Sequence, residues 1–491
     1  MSQYILSIDA GTTGITTTLF DKQARPAHVF YQEITQHYPQ PGWVEHDPAE
    51  IWNVALRHLR QAADAVGPRT IAAIGITNQR ETTILWDRRT GQPIHNAIVW
   101  QCRRTAPLCR DLRQQGLEKT LTEKTGLVID PYFSATKIVW LLDHIPDARP
   151  RAETGDLAFG TVDAWLLWNL TAGRSHATDF TNASRTLAFN IHARTWDRDI
   201  LSALAIPDPI LPKVLPSAAE FGVADGSLVG AEIPITGIAG DQQAALFGQG
   251  GFHPGLAKNT YGTGCFFLVN TGDRFVESSA GLLTTLACGA KGEPTFAIEG
   301  SVFVAGAVIQ WLRDGLAFMT SAAESEDLAR SVSDTGGVYM VPAFVGLGAP
   351  HWNADARGAI LGLTRGTRPA HIVRAALESI AYQTHDLITA AQKDIPHSIP
   401  ELRVDGGASA NDHLMQFQAD ILNLPINRPA NIETTSLGAG FLAGLQVGFW
   451  HDADEIEHRR QVDRIFEPTM SPADRQERLA GWQTAIRKTL A

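Results

Sequence analysis

Two widely separated segments show the same order of apolar and polar residues. In each, an apolar run meets a glycine- and threonine-rich turn and a second apolar run follows; the turns lie at residues 9–14 and 259–264. This order predicts strand, tight turn, strand in both places. Glycine lets peptide N–H groups approach an anion closely, and threonine hydroxyls add donors, so each turn is a candidate phosphate-binding hairpin. Two ordinary glycine hairpins are the alternative.

The first half of the chain otherwise alternates strand and helix patterns. Asp47 is the predicted cap of a helix, with Pro48 at its first position and Glu50 reaching back to the cap. Apolar residues then recur at helical spacing up to residue 66, and residues 71–77 form a buried strand. Polar residues follow directly at that strand's end, where they are well placed to meet a ligand.

The second half repeats the theme. Residues 338–341 and 402–404 are predicted strands, residues 370–392 a helix, and a further helix is expected to begin near Leu437. The length of 491 residues suggests more than one domain. We therefore predict an α/β fold with a first domain over residues 1–248 and a second over residues 249–491, divided at a glycine-rich linker.

Composition narrows the class of protein. With 44% hydrophobic and 19% charged residues, the chain fits a folded globular protein. Its net charge of -11 argues against nucleic acid as a partner, since a phosphate backbone needs clustered Lys and Arg. The start of the chain lacks a signal-peptide pattern, and the longest charge-free stretch is broken by Gly and Pro. We expect a cytoplasmic protein that is not an integral membrane protein, with its four cysteines as reduced thiols.

Several common ligand motifs are absent from the sequence. Neither GxxxxGK[ST] nor GxGxxG occurs, and there is no HExxH. Residues 438–443 fit the looser GxGxxA form, but no clear strand leads into them. We therefore interpret that segment as close helix packing rather than as a dinucleotide site.

The remaining chemistry centres on two carboxylates and a glycine turn at residues 404–411. Asp9 and Asp241 are each predicted at the end of a core strand. There they could hold Mg²⁺ through water, because Mg²⁺ favours few carboxylates together with substrate phosphates. Asp241 is also the candidate base that takes a proton from a substrate hydroxyl during phosphoryl transfer. The alternative is that each Asp only caps a turn.

These residues belong to longer motifs that resemble the glycerol kinases, within the wider sugar-kinase family. The matching motifs are residues 9–14, 75–83, 100–104, 126–134, 237–245, 259–265, 362–366 and 404–408. The resemblance implies two actin-like, ribonuclease H-like ATPase domains, with ATP and substrate in an interdomain cleft. It also implies ATP-dependent phosphorylation of glycerol to sn-glycerol 3-phosphate, with Mg²⁺ and with Asp241 as general base, in glycerol uptake and degradation.

The resemblance also assigns site residues. The substrate-binding set would be Arg80, Glu81, Tyr132, Asp241 and Gln242. The nucleotide-binding set would be Thr12, Thr13, Gly14, Thr263, Gly306, Gln310, Gly407 and Asn411. A mixture of guanidinium, carboxylate, phenol and amide suits a polyol, whose hydroxyls both donate and accept. Trp100 and Phe266 would cover the carbon skeleton, although aromatic residues usually belong to the core.

The chain departs from the family pattern in three places. Thr16 stands where several glycerol kinases have an arginine that contacts the terminal phosphate. Residues 223–234 lack the loop by which some members bind fructose 1,6-bisphosphate, and residues 212–244 contain no histidine for a phosphocarrier protein. We expect catalysis to survive and both modes of regulation to be in doubt. A homodimer or homotetramer is implied by the resemblance alone.

Two other functions compete with this interpretation. A related carbohydrate kinase for another small polyol or a ketose would share the scaffold and differ in the pocket. A non-catalytic actin-like ATPase would share the fold but would have no need of Arg80, Glu81 and Tyr132 beside Asp241.

Overall fold

The computed structural model describes residues 3–353 and 355–491, which group into two compact units. The first unit contains the chain up to Phe252 together with Thr284–Phe296 and Thr435–Arg459. The second contains His253–Leu283, Ala297–Thr434 and Arg460–Ala491. The predicted domain boundary between residues 248 and 249 stays a prediction. The compact units do not divide the chain at a single point, because Thr284–Phe296 and Thr435–Arg459 belong to the first unit.

Groups of strands and groups of helices follow one another up to residue 248. The strands are β1 (Tyr4–Ala10), β2 (Gly14–Phe20), β3 (Pro26–Glu33), β4 (Glu45–His46), β5 (Ile71–Asn78), β6 (Ile84–Asp87), β7 (Ala97–Ile98), β8 (Leu157–Gly160), β9 (Ala177–Asp179), β10 (Phe189–Asn190), β11 (Thr195–Trp196), β12 (Lys213–Leu215), β13 (Ala218–Ala224) and β14 (Ile233–Gly240). The helices are α1 (Pro48–Val66), α2 (Ala106–Gln114), α3 (Glu118–Thr125), α4 (Ser134–His144), α5 (Ala148–Glu153), α6 (Val162–Leu170), α7 (Phe180–Ala183), α8 (Arg198–Ala203), α9 (Gly226–Val229) and α10 (Asp241–Gly248), with short 3-10 helices at Pro68–Thr70 and Asp208–Ile210.

The rest of the chain continues in the same style. The strands are β15 (Ala257–Tyr261), β16 (Cys265–Gly272), β17 (Leu283–Cys288), β18 (Pro294–Val302), β19 (Tyr339–Val341), β20 (Ala359–Leu361), β21 (Leu402–Asp405), β22 (Ile426–Pro429) and β23 (Val462–Phe466). The helices are α11 (Gly306–Asp314), α12 (Glu324–Arg330), α13 (Pro369–Asp394), α14 (Asp412–Leu422), α15 (Thr434–Gln446), α16 (Ala453–Arg459) and α17 (Pro472–Leu490), with a 3-10 helix at Gly407–Ala410. The predicted α/β class is confirmed.

The first unit is built on a six-stranded mixed sheet in the order β13-β14-β5-β1-β2-β3. Its central strands β1, β5 and β14 run parallel, while β2 returns antiparallel to β1. Asp9 on β1 and Ala239 on β14 both lie opposite Thr77 on β5. Since parallel strands in register end at the same edge, residues that follow them meet there.

The second unit contains strands in the order β18-β16-β15-β21-β22-β23. Strand β15 pairs antiparallel with β16 and parallel with β21. The turn between β15 and β16 corresponds to the second predicted hairpin, and the turn between β1 and β2 corresponds to the first. Both predictions of strand, tight turn, strand are confirmed.

Most of the other predicted elements are found, with shifted ends. Strands β5, β19 and β21 and helix α13 correspond to the predictions within one or two residues. Helix α15 starts at Thr434, three residues before the predicted Leu437. Polar residues in its first turn conceal that start in the hydrophobic pattern, which is what the prediction used.

The capping prediction for α1 is half correct. The Asp47 side chain accepts a hydrogen bond from the Ala49 N–H at 2.8 Å, and Pro48 is the first helical residue. Glu50 does not reach back to the cap. Its carboxylate instead accepts from the backbone N–H and the hydroxyl of Thr35, both at 3.1 Å. Thr35, which lies outside the helix, thus provides the donors in place of the backbone N–H of Asp47.

Helix α15 packs directly on the sheet of the first unit. A Cβ added at Gly75 on β5 would lie 2.2 Å from the carbonyl oxygen of Ala439, and one at Gly237 on β14 would lie 2.5 Å from the backbone of α15. A Cβ at Gly438 would lie 1.8 Å from the carbonyl oxygen of Ala244 on α10. The glycines at this contact allow backbones to touch, which supports helix packing as the role of the GxGxxA segment.

Each unit has its own buried apolar core. In the first unit, β1, β5 and β14 contribute core residues together with α1 and α6. In the second, α13 supplies much of the core. Among the helices of residues 3–353 and 355–491, none combines the length and the apolar character that crossing a membrane requires.

We expect Gly438→Ala to lower the free energy of unfolding by about 1–3 kcal/mol or more, because the new methyl group overlaps a backbone carbonyl. This loss opposes the helix propensity of alanine, which by itself favours the substitution. Thermal unfolding monitored by circular dichroism tests the prediction. The matched control is Gly226→Ala, where a Cβ would have its nearest neighbour at 3.6 Å. An equal, small effect at both positions would contradict close packing.

Candidate active site

The polar residues of the first unit collect at the carboxyl ends of its three parallel strands. Asp9 lies near the end of β1, and Arg80 and Glu81 follow the end of β5. Asp241 follows β14 directly as the first residue of α10. The register described above therefore brings the carboxylates and the guanidinium to one edge of the sheet.

Arg80 contacts several side chains at this edge and is 2% exposed. Its Nε lies 3.2 Å from Oδ1 of Asp241, and Nη2 donates to the Tyr132 hydroxyl at 3.5 Å. Nη1 donates to Oε1 of Gln243 at 3.3 Å. Two of the predicted substrate-binding residues, Tyr132 and Asp241, therefore both contact a third, Arg80.

Glu81 is held in an unusual conformation. Its φ of 62° lies in the left-handed region, which a residue with a Cβ adopts only where its surroundings impose it. The side chain is 1% exposed, and its Oε1 accepts from Nε of the fully buried Arg185 at 2.7 Å. The Arg185 guanidinium also lies 5.5 Å from the ring centre of Tyr132. The buried cation thus contacts two of the predicted substrate-binding residues.

Tyr132 is fixed from two directions. The Trp100 ring meets it edge-on, with 5.5 Å between the ring centres. The ammonium of Lys137 donates to the carbonyl oxygens of Tyr132 and Phe133, at 2.5 and 3.1 Å. Burial lowers the pKa of Lys137 to about 8, although the Glu81 carboxylate acts in the opposite direction. These hydrogen bonds to the backbone hold the loop around Tyr132, and with it the phenol, in one position.

A buried polar network fixes the end of β14, where Asp241 begins. The Gly240 N–H donates to the Thr181 hydroxyl at 2.8 Å, and that hydroxyl donates to Asp179 at 2.7 Å. Burial raises the pKa of Asp179, while hydrogen bonds from its neighbours oppose the shift. Asp241 itself keeps 27% of its side chain exposed, and its Oδ1 accepts from the buried Gln242 N–H at 2.7 Å. The carboxylate is oriented and still reachable.

The predicted metal ligands fit Mg²⁺ in number and type. Asp9 on β1 and Asp241, which directly follows β14, supply two carboxylates at the same sheet edge, and β5 lies between those two strands. Within residues 3–353 and 355–491, no group of three or more His, Cys, Asp or Glu side chains could enclose a metal. Two carboxylates suit an ion that keeps several waters and binds substrate phosphates, which is the habit of Mg²⁺.

The three predicted phosphate-binding residues of the first hairpin have different environments. Thr13 is exposed at the tip, while the Thr12 hydroxyl accepts from the Trp100 indole N–H at 2.9 Å. Gly14 lies against β3, where a Cβ would be 2.7 Å from the carbonyl oxygen of Gln32. Strand packing therefore explains the glycine at position 14 without a ligand.

In the second unit, Thr263 and Gly306 are brought together. The N–H of Gly306 opens α11 by donating to the carbonyl oxygen of Gly262 at 2.9 Å, and a Cβ there would lie 2.6 Å from the same oxygen. The N–H of Ala307 donates to the carbonyl oxygen of Thr263 at 3.1 Å. Gln310 is exposed one turn further along α11. The second hairpin and the start of α11 form one backbone-linked structure.

Gly407 is the first residue of the short 3-10 helix after β21, and Asn411 follows that helix directly. A Cβ at Gly407 would meet no atom within 4 Å, so open space faces this position. The Asn411 side chain accepts from the Leu414 N–H at 2.9 Å and thereby caps α14. Packing does not explain the glycine at position 407, whereas capping does account for Asn411.

Sequence reasoning missed three residues that contact the site. Gln243 stands beside the predicted Gln242, and its side-chain oxygen accepts a hydrogen bond from Arg80. Arg185 and Lys137 gave no pattern signal, because each is a single cation next to hydroxyl residues and resembles a surface position. Their burial becomes apparent only from tertiary contacts.

Comparisons with known proteins identify the family of the chain. Residues 4–248 match the N-terminal domain model of the FGGY family of carbohydrate kinases, and residues 257–447 match its C-terminal domain model. The chain therefore belongs to the FGGY family of carbohydrate kinases.

Within that family, glycerol kinases are among the curated proteins that are similar to this chain. The glycerol kinase of Caldanaerobacter subterraneus subsp. tengcongensis is 55% identical, over 100% of this chain and 99% of its own length. That of Carboxydothermus hydrogenoformans is 57% identical, over 99% and 97%. The crystal structure of Plasmodium falciparum glycerol kinase with ADP is 38% identical, has a TM-score of 0.94 and covers 100% of this chain and 99% of that one.

A pH prediction follows from Asp163, which lies in the same buried region as Asp179. Asp163 is fully buried and accepts hydrogen bonds from the hydroxyls of Thr161 and Thr178, at 2.5 and 2.6 Å. Burial raises its pKa from 3.8 to about 7. Between those values the folded chain keeps a proton that the unfolded chain loses, so this group's contribution to stability falls as pH rises from about 4 to about 7 and is constant above.

We expect Asp163→Asn to remove this dependence, because an amide does not titrate. The free energy of unfolding of the wild type, relative to that of the variant, should fall as pH rises through that window, by on the order of 4 kcal/mol at most. Scanning calorimetry from pH 4 to pH 8 measures it, with exposed Asp64→Asn as control. A difference that is constant across the window would contradict the raised pKa.

Proposed function

We propose that this protein transfers the terminal phosphoryl group of ATP to glycerol, giving sn-glycerol 3-phosphate and ADP. The glycerol kinases described above support this proposal through 55–57% identity over nearly the whole chain. The observation that carries it is the cluster of Arg80, Asp241 and Tyr132 at the end of the parallel strands. This cluster offers the mixed donors and acceptors that a small polyol needs.

In this proposal, glycerol binds to Arg80, Glu81, Tyr132, Asp241 and Gln242. Arg80 donates only, Glu81 accepts only, and the phenol of Tyr132 does both, so three hydroxyl groups are distinguished by direction as well as by position. Burial of Arg80 and Glu81 keeps competing water away from these contacts. Trp100, seated edge-on against Tyr132, covers the carbon chain.

Asp241 is the proposed general base. Its carboxylate accepts the proton of the attacking glycerol hydroxyl while the oxygen forms a bond to the γ-phosphorus and the bond from that phosphorus to ADP breaks. The Gln242 N–H and the Arg80 guanidinium orient the carboxylate. The partial exposure of Asp241 lets a bound hydroxyl reach it.

The nucleotide would be bound by Thr12, Thr13, Gly14, Thr263, Gly306, Gln310, Gly407 and Asn411. Asp9 and Asp241 would hold Mg²⁺, largely through water, and the ion supplies charge neutralisation on the phosphates. Thr16 lies opposite Asp9 across β1 and β2, so its side chain shares the face of the sheet that carries the carboxylate. The oligomeric state, the cytoplasmic location and the domain boundary stay predictions.

We expect ADP release from Mg²⁺-ATP to depend on glycerol in the wild type and to fall about 10²- to 10⁴-fold in Asp241→Asn. The amide keeps the shape of the side chain but cannot take the proton. A coupled assay of ADP release, with and without glycerol, measures both effects. Exposed Asp64→Asn on α1 is the control and should match the wild type.

The outcomes separate the competing functions. Wild-type turnover that ignores glycerol but responds to another polyol or a ketose would keep the kinase and replace the substrate. ATP hydrolysis that no polyol or sugar stimulates would favour the non-catalytic actin-like ATPase.

The nucleotide assignment has its own test at Gly407. Since a Cβ there meets no protein atom within 4 Å, Gly407→Val should leave thermal unfolding unchanged. We expect the KM for ATP to rise about 10-fold or more, because the side chain occupies space proposed for adenosine. Glycerol affinity, measured by calorimetry without nucleotide, should stay within about 2-fold. Unchanged ATP kinetics would remove Gly407 from the nucleotide site.

A further inference from the structure

The fully buried imidazole of His46 on β4 lies outside the proposed catalytic and binding sets. Its Nε2 lies 2.8 Å from the side-chain oxygen of Gln36, and its Nδ1 lies 3.2 Å from the side-chain nitrogen of Gln79. Neither glutamine belongs to those sets. A histidine bound through both ring nitrogens to two amides is a defined polar structure inside the first unit.

Both amides continue to the first hairpin. The Gln36 side chain donates to the carbonyl oxygen of Thr12 at 2.8 Å, and the Gln79 side chain donates to the carbonyl oxygen of Gly11 at 3.1 Å. The Thr82 hydroxyl donates to the side-chain oxygen of Gln79 at 2.9 Å, which fixes the direction of that amide. His46 is thus linked through one glutamine side chain to each of two successive carbonyl groups of the turn.

The hydrogen bonds assign one tautomer to His46. Because the nitrogen of Gln36 donates to Thr12, its oxygen must accept, so Nε2 of His46 carries the hydrogen. Nδ1 then accepts from the nitrogen of Gln79. A second proton on the ring would place two donors against each other. Burial lowers the pKa of His46 to about 4, with the charge of His37 as a smaller cause, so the ring is neutral near pH 7.

The direction of the two carbonyl groups determines the direction of the next two N–H groups. In a trans peptide, the C=O of one residue and the N–H of the following residue point in opposite directions. Holding the carbonyl groups of Gly11 and Thr12 toward the glutamines therefore turns the N–H groups of Thr12 and Thr13 away from them. Successive N–H groups on one side of a turn form the concave donor arrangement that binds anions.

We propose that Gln36, His46 and Gln79 form a positioning network that presets the first hairpin for the phosphates of the nucleotide. This inference rests on the proposed function, in which the hairpin contacts ATP. The network touches backbone groups and no substrate atom, so its members are positioning residues. Their contribution is to avoid reorganising two peptide groups when the phosphates bind.

Three variants test the network. His46→Phe keeps the size of the ring and removes both hydrogen bonds, and Gln36→Met removes the link to Thr12 from a half-buried position. His46→Gln retains a donor near the position of Nε2. The matched control is His58→Phe, which replaces another buried histidine of the first unit, on α1.

We expect His46→Phe and Gln36→Met to weaken binding of Mg²⁺-ADP, and to raise the KM for ATP, by about 10-fold. Glycerol affinity measured without nucleotide should stay within about 2-fold, because the hydrogen bonds described for the network lead to the backbone of the hairpin. His46→Gln should recover part of the loss, and His58→Phe should bind nucleotide as the wild type does. Isothermal calorimetry gives the affinities, and thermal unfolding identifies a misfolded variant.

The inference is overturned if Gln36→Met and a folded His46→Phe bind Mg²⁺-ADP as the wild type does, or if glycerol affinity falls as much as nucleotide affinity. If His46→Phe does not fold, Gln36→Met decides. A wild type that binds no nucleotide would overturn the proposed function together with this inference. Normal nucleotide binding without glycerol turnover would overturn the substrate assignment alone.

Discussion

The parallel register of β1, β5 and β14 determines where the candidate site residues of the first unit lie. It sets Asp9, Thr77 and Ala239 side by side, and the residues beyond each strand end then share one edge of the sheet. A slip of one residue in β1 would turn Asp9 to the opposite face, since side chains alternate along a strand. Arg80 can reach Asp241 only because both chain segments leave the sheet at the same level.

Buried charges hold this edge in shape. Arg185, Lys137 and Asp179 are all removed from water, and each is bound by neighbouring side chains or backbone groups. Desolvation of such groups is unfavourable unless every contact is well made, so they stabilise one arrangement and penalise others. The left-handed backbone of Glu81 belongs to the same arrangement, because its carboxylate is bound by Arg185. In the proposed polyol site, these buried charges fix the positions of the residues that would bind the substrate.

The sequence predicted the features that depend on local pattern. Both hairpins, the main strands and helix α13 follow from alternating and helical periodicity, and the meeting of Arg80, Tyr132 and Asp241 follows from motif resemblance. Features that depend on a distant partner escaped. Glu50 binds Thr35 instead of its own cap, and nothing near Arg185 in the chain indicates that Glu81 will be its partner. The glycine at position 14 looked like part of a phosphate turn, yet the close approach of β3 is sufficient reason for it.

The packing of α15 on β5 and β14 has a consequence for folding during synthesis. A ribosome releases the strands first, and the helix that covers them is separated from them by nearly the whole second unit. During synthesis the glycines of these strands therefore face a space that their own chain cannot yet fill. Apolar surface beneath the missing helix stays open to chaperones and to neighbouring nascent chains until translation is almost complete. The first unit, whose strands are synthesised first, can complete its fold only after α15 has been synthesised.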